Sequence, residues 1–126
     1  MSLRSPLGRV RGLGSAKEGV SHWWHQRLTA LFLIPLVLWF VVSLLSVVHA
    51  DHEGLKAWLA RPLNAGLLVT FLGTTFFHAK LGLQVVIEDY VHTELVKLGA
   101  LVAMNLVVLV LAATSVISVL RIAFGG

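Results

Sequence analysis

One stretch of the sequence, FFHAKLGLQVVIEDY at residues 76–90, concentrates the residue types that can do chemistry. On a helix, one face of this stretch carries an imidazole, a position without a side chain, an apolar residue and a carboxylate, at His78, Gly82, Val85 and Asp89. Tyr90, the only tyrosine in the chain, follows the carboxylate directly. An imidazole next to a position without a side chain, with polar residues at the helix end, indicates a bound cofactor and a second small molecule close to it.

His78 lies within an apolar run, where an ionisable side chain is costly and is by default a functional candidate. Neutral imidazole is a common axial ligand of haem iron, and Gly82 would let a flat macrocycle approach the helix backbone. The alternative is that His78 hydrogen-bonds to a neighbouring helix and that Gly82 is only a packing glycine. Spacing alone leaves both interpretations open. A haem with two histidine ligands would need its second histidine from another chain.

A polar and aromatic border, GVSHWWHQR at residues 19–27, precedes the first apolar run. Arg27 can pair with carboxylates, a haem propionate among them, or anchor the chain at lipid phosphate. His22 and His25 are three residues apart and share a helical face, but no third ligand accompanies them at the spacing of a metal site. From these residues alone, the interfacial interpretation is favoured for all three.

The polar end of the stretch also has two interpretations. The Tyr90 hydroxyl can donate to a quinone carbonyl, with Asp89 tuning it or relaying a proton. The simpler interpretation makes Tyr90 an aromatic residue at the membrane border and Asp89 a water-facing residue at a helix end. Lys80, two residues from His78, lies on a different helical face, where it either snorkels toward the border or faces a partner subunit.

Composition excludes several classes of protein. Of the 126 residues, 57% are hydrophobic and only 13% are charged, more apolar surface than a soluble domain of this size can bury. The basic residues concentrate near the N-terminus, which is typical of a membrane topology signal, and no basic patch interleaved with aromatic residues indicates nucleic-acid binding. The absence of cysteine excludes disulfides, thiolate metal sites and iron–sulfur ligation by this chain.

The apolar runs predict an all-α membrane protein, a single domain with three transmembrane helices. Each run is long enough to cross about 30 Å of hydrocarbon. The spans are predicted at residues 28–48, 64–87 and 98–120, after a polar tail and interfacial segment at residues 1–27. Pro35 within the first span predicts a mild kink rather than a break.

The distribution of Lys and Arg predicts the orientation of these spans. The tail and its border carry five basic residues: Arg4, Arg9, Arg11, Lys17 and Arg27. This excess predicts a cytoplasmic N-terminus and, after three spans, a periplasmic C-terminus. The same topology gathers the candidate polar residues at one membrane face: His22, His25, Arg27, Asp89 and Tyr90. The short segment before the first span favours a bacterial inner membrane over a mitochondrial one.

Two segments resemble the D-type hydrophobic membrane anchors of bacterial succinate dehydrogenase, respiratory complex II. GVSHWWHQRLTA is similar to the family's entry into its first helix, with Arg27 and Thr29 at matching positions. HAKLGLQVVIEDYV is similar to the family's second-helix signature, a histidine with a glycine four residues on and Asp-Tyr eleven and twelve residues on. The resemblance covers nearly the whole chain as a three-helix plan, although Lys80 departs from the aromatic residue associated with its position.

This resemblance implies that the chain packs with a second three-helix anchor, of the cytochrome b556 type, around one shared haem b. His78 would be one axial ligand of the haem iron and the partner anchor would supply the other. Arg27 would contact a haem propionate, and His22 and Gly82 would be further haem contacts.

The resemblance further implies that Tyr90 hydrogen-bonds a ubiquinone carbonyl, with Asp89 in support. FAD and the iron–sulfur clusters would belong to the flavoprotein and iron–sulfur subunits. The chain would then be a subunit of succinate:quinone oxidoreductase, in the respiratory chain and the tricarboxylic acid cycle, without being catalytic by itself. Two alternatives are an anchor of a related fumarate reductase or haem-free complex II, and a three-span structural protein without redox function.

Overall fold

The structure is a computed structural model that describes residues 6–7 and 16–125, the side chains of residues 16–18 excepted. Within residues 16–125, four helices follow in order: α1 (Ala16–Val47), α2 (His52–Leu59), α3 (Pro62–Tyr90) and α4 (Glu94–Ala123). Of the basic tail predicted to set the orientation, Arg4, Arg9, Arg11 and the side chain of Lys17 lie outside the described residues.

Three of these helices are long and apolar enough to span a membrane, as the sequence predicts. They contain 32, 29 and 30 residues, so each is at least about 43 Å long and exceeds the hydrocarbon thickness. α1 begins well before the predicted span, since its backbone stays helical through the polar border at residues 19–27. Pro35 lies inside α1 without ending it.

The remaining helix, α2, is short and lies in the charged connection between α1 and α3. Asp51 caps its N-terminus, because its carboxylate accepts a 2.8 Å hydrogen bond from the Gly54 backbone N–H. Trp58 of α2 stacks on Trp39 of α1, with ring centroids 6.0 Å apart, and the Trp58 carbonyl accepts from the Asn64 side chain at 2.9 Å. α2 therefore closes the end of the molecule that lies opposite Tyr90.

The long helices form an open row with α3 in the middle. α3 packs against α1 on one side and α4 on the other, while the described parts of α1 and α4 do not pack on each other. Phe40 of α1 stacks on Phe71 of α3 with a centroid distance of 4.8 Å. Neighbouring helices in the row are antiparallel, so the N-terminal part of α1, the C-terminal half of α3 and the start of α4 lie at one end.

Very little of this row is buried within the chain. Among the described side chains, only four are buried: Thr29, Leu59, Ala65 and Leu81. Large apolar side chains along the spans are exposed, such as Leu45 at 68% and Leu109 at 65%. An apolar surface of this extent needs lipid or other membrane helices around it.

Candidate functional site

A polar stripe on α1 meets α3 at the level of His78. His22, Gln26 and Thr29 follow i, i+4, i+7 spacing, so they share one face of α1. Opposite them, α3 presents His78, the Leu81 carbonyl and Gly82. The contact therefore brings together three predicted site residues: His78 and Gly82 of α3 and His22 of α1.

Thr29 fixes the orientation of the His78 ring. Its Oγ1 lies 2.7 Å from the His25 carbonyl oxygen and 3.0 Å from the Gln26 carbonyl oxygen, so the one hydroxyl proton points to these acceptors. The same Oγ1 lies 2.9 Å from His78 Nδ1, and with its proton on a backbone carbonyl it accepts there. In this arrangement His78 donates from Nδ1–H, and its other ring nitrogen, Nε2, carries the lone pair.

His78 also lines an open groove of about 430 Å³ on the α1 side of α3. The other lining residues are all apolar: Ala30, Leu33, Ile34, Val37 and Leu38. Within the described part of the chain, no group of three or more His, Cys, Asp or Glu side chains can hold a metal ion. A single oriented imidazole beside an apolar groove fits a haem, since the porphyrin itself supplies the four equatorial ligands of the iron.

His22 and Gly82 lie one turn from this pair. His22 Nε2 is 3.1 Å from the Leu81 carbonyl oxygen and donates to it, so this histidine links α1 to α3. A Cβ added at Gly82 would meet only Gln26 Nε2, at 3.8 Å, which is ordinary contact. The packing of α1 on α3 therefore does not itself require a glycine at position 82.

Gln26 carries a buried acceptor without a partner. Its Oε1 is inaccessible and has no hydrogen-bond partner among the described residues. A buried unpaired acceptor is unusual in native proteins and marks a place where a water molecule or another group is expected. The amide that carries this acceptor lies beside Gly82, with its Nε2 3.8 Å from a Cβ added there.

Arg27 and His25 occupy other faces of α1. The Arg27 guanidinium lies 5.2 Å from the centroid of the Trp23 ring, in cation–π geometry, and makes no ion pair within the described part of the chain. His25 is exposed, with Nδ1 3.3 Å from Ser21 Oγ and its ring edge-to-face with Phe77. Arg27 thus remains available to an anion from outside the chain.

Asp89 and Tyr90 are the last two residues of α3. Tyr90 is 78% exposed, and neither side chain forms a hydrogen bond or an ion pair with the described residues. With 3.6 residues per turn, Asp89 lies nearly in line with His78, and Tyr90 lies about a third of a turn away. The rise along the helix puts Tyr90 about 18 Å from His78. The two predicted sites are therefore separate, at different depths of one helix.

Two members of this site, Thr29 and Gln26, are functional candidates only in the structure. Thr29 matches the family segment at the start of the first helix, but neither residue type by itself indicates a cofactor site. The signal that reveals both is the i, i+4, i+7 stripe with His22 where α1 enters its apolar run.

The chain was compared with known proteins. Residues 1–119 match the family described as succinate dehydrogenase/fumarate reductase transmembrane subunit. The succinate dehydrogenase hydrophobic membrane anchor subunit of Rickettsia bellii is 35% identical over 103 residues, 82% of this chain and 82% of that protein.

Two further relatives are a succinate dehydrogenase membrane anchor subunit of Reclinomonas americana and a hydrophobic membrane anchor subunit of Paracoccus denitrificans. The first is 31% identical over 62% of this chain and 68% of its own length. The second is 30% identical over 68% and 67% respectively. No solved structure matches the chain. The extent of the family match and these identities show that the chain belongs to the succinate dehydrogenase/fumarate reductase transmembrane subunit family.

Proposed function

We propose that this chain is the hydrophobic membrane anchor of a succinate dehydrogenase and that it helps to bind haem b and ubiquinone. In this role it passes electrons from succinate oxidation to the quinone pool, together with a second three-helix anchor, an iron–sulfur subunit and a flavoprotein subunit. The observation that carries the cofactor assignment is the 2.9 Å contact between Thr29 Oγ1 and His78 Nδ1. The names of the relatives support the choice of enzyme.

His78 would hold the haem iron through Nε2, the ring nitrogen left unprotonated when Nδ1–H donates to Thr29 Oγ1. A haem bound there would supply a one-electron carrier within the membrane. The apolar groove beside His78 is open, so the partner anchor could cover it, exclude water and contribute a second ligand. Arg27 would neutralise a haem propionate, since its guanidinium makes no ion pair with the described residues.

His22 and Gly82 contribute to the same site in different ways. His22 positions the site, since its hydrogen bond to the Leu81 carbonyl holds α1 against α3. Gly82 leaves room beside the helix, since only Gln26 approaches its missing side chain. Gln26 Oε1 accepts a hydrogen bond from a water molecule or a partner group in the assembled complex.

Tyr90 donates a hydrogen bond from its hydroxyl to a ubiquinone carbonyl at the membrane border. Its exposure and its lack of a partner among the described residues leave the hydroxyl free for this role. Asp89, next to it, supports the phenol and lies on the His78 face of α3. Charge that develops on the carbonyl as the quinone is reduced is stabilised by this donor.

The orientation follows the distribution of charge between the two ends of the row. The end that holds Tyr90 also holds Arg27 and Lys97, and the basic tail precedes α1 in the sequence at this end, whereas Lys56, Arg61 and Arg121 lie at the other end. This excess supports an orientation with the Tyr90 end at the cytoplasmic face of a bacterial inner membrane, where the iron–sulfur subunit would dock.

The proposal is tested on the complex isolated through this chain in mild detergent. A reduced-minus-oxidised visible spectrum is recorded and the co-purifying subunits are identified. A b-type haem signal with flavoprotein and iron–sulfur partners is the expected result. Partners without haem would leave a haem-free complex II, with His78 as a packing residue. Neither haem nor partners would overturn the proposal.

A related fumarate reductase is the second candidate, because the family description covers both enzymes. The two differ in the quinone they use and in the favoured direction of electron flow. Comparing succinate oxidation with fumarate reduction in the isolated complex, using ubiquinone and then menaquinone, separates them. We expect succinate oxidation with ubiquinone to be the faster reaction.

A further inference from the structure

Lys80 is the one charged side chain well inside a span that the proposed function does not use. It lies two residues after His78, about 200° around α3, so it faces away from the Thr29–His78 contact. There it lines a second groove of about 390 Å³, between α3 and α4. Asn105 of α4 lines the same end of this groove.

Lys80 is a cation without a counter-anion in the described part of the chain. Its Nζ lies 5.8 Å from the centroid of the Phe77 ring, and no carboxylate comes within ion-pair distance among the described residues. Asn105 donates one N–H to the Leu101 carbonyl at 2.7 Å, which leaves its second amide hydrogen available. The two side chains present positive charge and a hydrogen-bond donor at one point, a combination that suits an anionic oxygen.

The depth of Lys80 in the membrane can be inferred from the packing of α1 on α3. Thr29 is level with His78, so Arg27, two residues earlier on the antiparallel helix, is level with Lys80. Trp23 and Trp24, which are 52% and 60% exposed, lie only about one turn further out. Tryptophan and arginine at such positions mark the border between hydrocarbon and headgroups. Lys80 and Asn105 are therefore within reach of the headgroup phosphates.

From this polar end, the groove runs into the apolar depth of the membrane. Gly73 and Ala112, each seven residues from Lys80 or Asn105, line its inner end about 10 Å deeper. Between the ends, the groove is lined by apolar side chains: Phe76, Phe77, Val108 and Leu109. A groove with a cation within reach of the headgroups at one end and an apolar lining below matches the shape and polarity of a phospholipid.

We propose that the groove between α3 and α4 is a binding site for an anionic phospholipid. The headgroup phosphate pairs with Lys80 and accepts from the Asn105 amide, and one acyl chain lies along the groove toward Gly73. Phospholipid is favoured over a protein partner because charge and apolarity are ordered along the membrane normal. The site faces away from His78, and the inference holds whether or not His78 binds haem.

The test uses the complex isolated through this chain and washed free of loosely held lipid. Phosphatidylglycerol or phosphatidylcholine is added back, and retained lipid is counted by native mass spectrometry. We expect phosphatidylglycerol to be retained and Lys80→Met to lower its retention about fivefold, the effect of one basic residue at a membrane surface. Lys80→Arg keeps the charge and should retain the lipid.

Two further variants make the test specific. Lys97→Met removes another cation at the same end of the row, one that is 3.8 Å from Glu94 and does not line the groove. It should retain the lipid as the unchanged protein does. Gly73→Leu fills the groove without a clash inside the chain, since a Cβ at Gly73 meets nothing within 4 Å. It should lower retention of both lipids.

Unchanged phosphatidylglycerol retention in Lys80→Met, or an equal loss in Lys97→Met, would overturn the site. A benzophenone amino acid placed at Leu109 provides a second readout, because this residue lines the groove. Photocrosslinking to phospholipid supports the proposal. Photocrosslinking to another subunit or a second copy of this chain would mean that protein covers the groove and would overturn it.

Discussion

Thr29 on α1 and His78 on α3, 49 residues apart in the sequence, are joined by a 2.9 Å hydrogen bond. When Thr29 donates its hydroxyl proton to backbone carbonyls of its own helix, its oxygen accepts from His78, which favours the tautomer with Nδ1 protonated. Residues that orient a ligating histidine through its second nitrogen set ring position and ligand basicity. The relationship makes Thr29 a positioning residue for whatever His78 binds through Nε2.

Thr29→Val tests this role directly, because valine keeps the shape of threonine but cannot accept from Nδ1–H. We expect the affinity for haem to fall about tenfold or more, the usual effect of removing such a partner. The measurement is haem per complex from the reduced-minus-oxidised spectrum, together with the position of its bands. Thr29→Ser, which restores the acceptor, should return both to those of the unchanged protein.

Thr70→Val is the matched control for this pair. Thr70 also donates to a carbonyl of its own helix, Gly66 at 2.8 Å, but it is exposed on α3 and away from His78. Its haem content should not change. Equal haem loss in Thr29→Val and Thr70→Val would assign the effect to span stability and remove the special role of Thr29.

His78→Gly removes the proposed ligand itself. We expect the haem band to be lost while the flavoprotein and iron–sulfur subunits still co-purify, because the α1–α3 contact keeps the His22 bond and the Phe40–Phe71 stack. Added imidazole should restore part of the band, since a small ligand can enter the space left by the side chain. His92→Gly, an exposed histidine in the link between α3 and α4, is the control. A bis-histidine spectrum that persists in His78→Gly would exclude His78 as the ligand.

The sequence predicts the three long apolar helices well because uninterrupted apolar runs of this length have few other uses. It predicts their helix ends less well. The polar border at residues 19–27 predicts where the chain passes from water into the membrane, but this passage does not change the backbone conformation. α1 continues through the border to Ala16. The membrane borders at residues 28–48, 64–87 and 98–120 stay predictions, as does the orientation.

α2 shows a different limit. Residues 49–62 lie between the first two predicted spans, where their charges alone indicate a polar connection, yet Asp51 is a favourable N-cap residue with Glu53 in the first turn. These local capping signals, considered together with the charges, predict a short helix. For the site, the stretch at residues 76–90 identified His78 from its type and depth. The tautomer of His78 depends on Thr29, a contact between distant segments that no local pattern specifies.

Gly82 offers a test of free space near the site. A Cβ there would lie 3.8 Å from Gln26 Nε2, so Gly82→Ala should leave assembly and haem content nearly unchanged. Gly82→Leu projects further along the His78 face and should weaken haem binding by about 1–3 kcal/mol, the usual effect of overpacking. Haem titration of the depleted complex measures this difference.

Gly66→Leu is the control for Gly82→Leu, because Gly66 lies on the same helix with nothing within 4 Å of an added Cβ. It should bind haem as the unchanged protein does. Haem binding by Gly82→Leu at full affinity would mean that no planar group lies close to this part of α3.

Tyr90→Phe tests the quinone assignment while leaving the haem site intact. The Tyr90 hydroxyl makes no hydrogen bond with the described residues, so its removal should not affect folding or haem content. Loss of one hydrogen bond to the quinone is worth about 1 kcal/mol or somewhat more, so we expect a five- to tenfold lower kcat/KM for ubiquinone. Succinate oxidation with an artificial acceptor that takes electrons before the quinone should keep its rate, which locates the defect at the membrane end. Trp24→Phe, another exposed aromatic at the same end, controls for general effects on the membrane border, and an equal loss there would make Tyr90 only an interfacial residue.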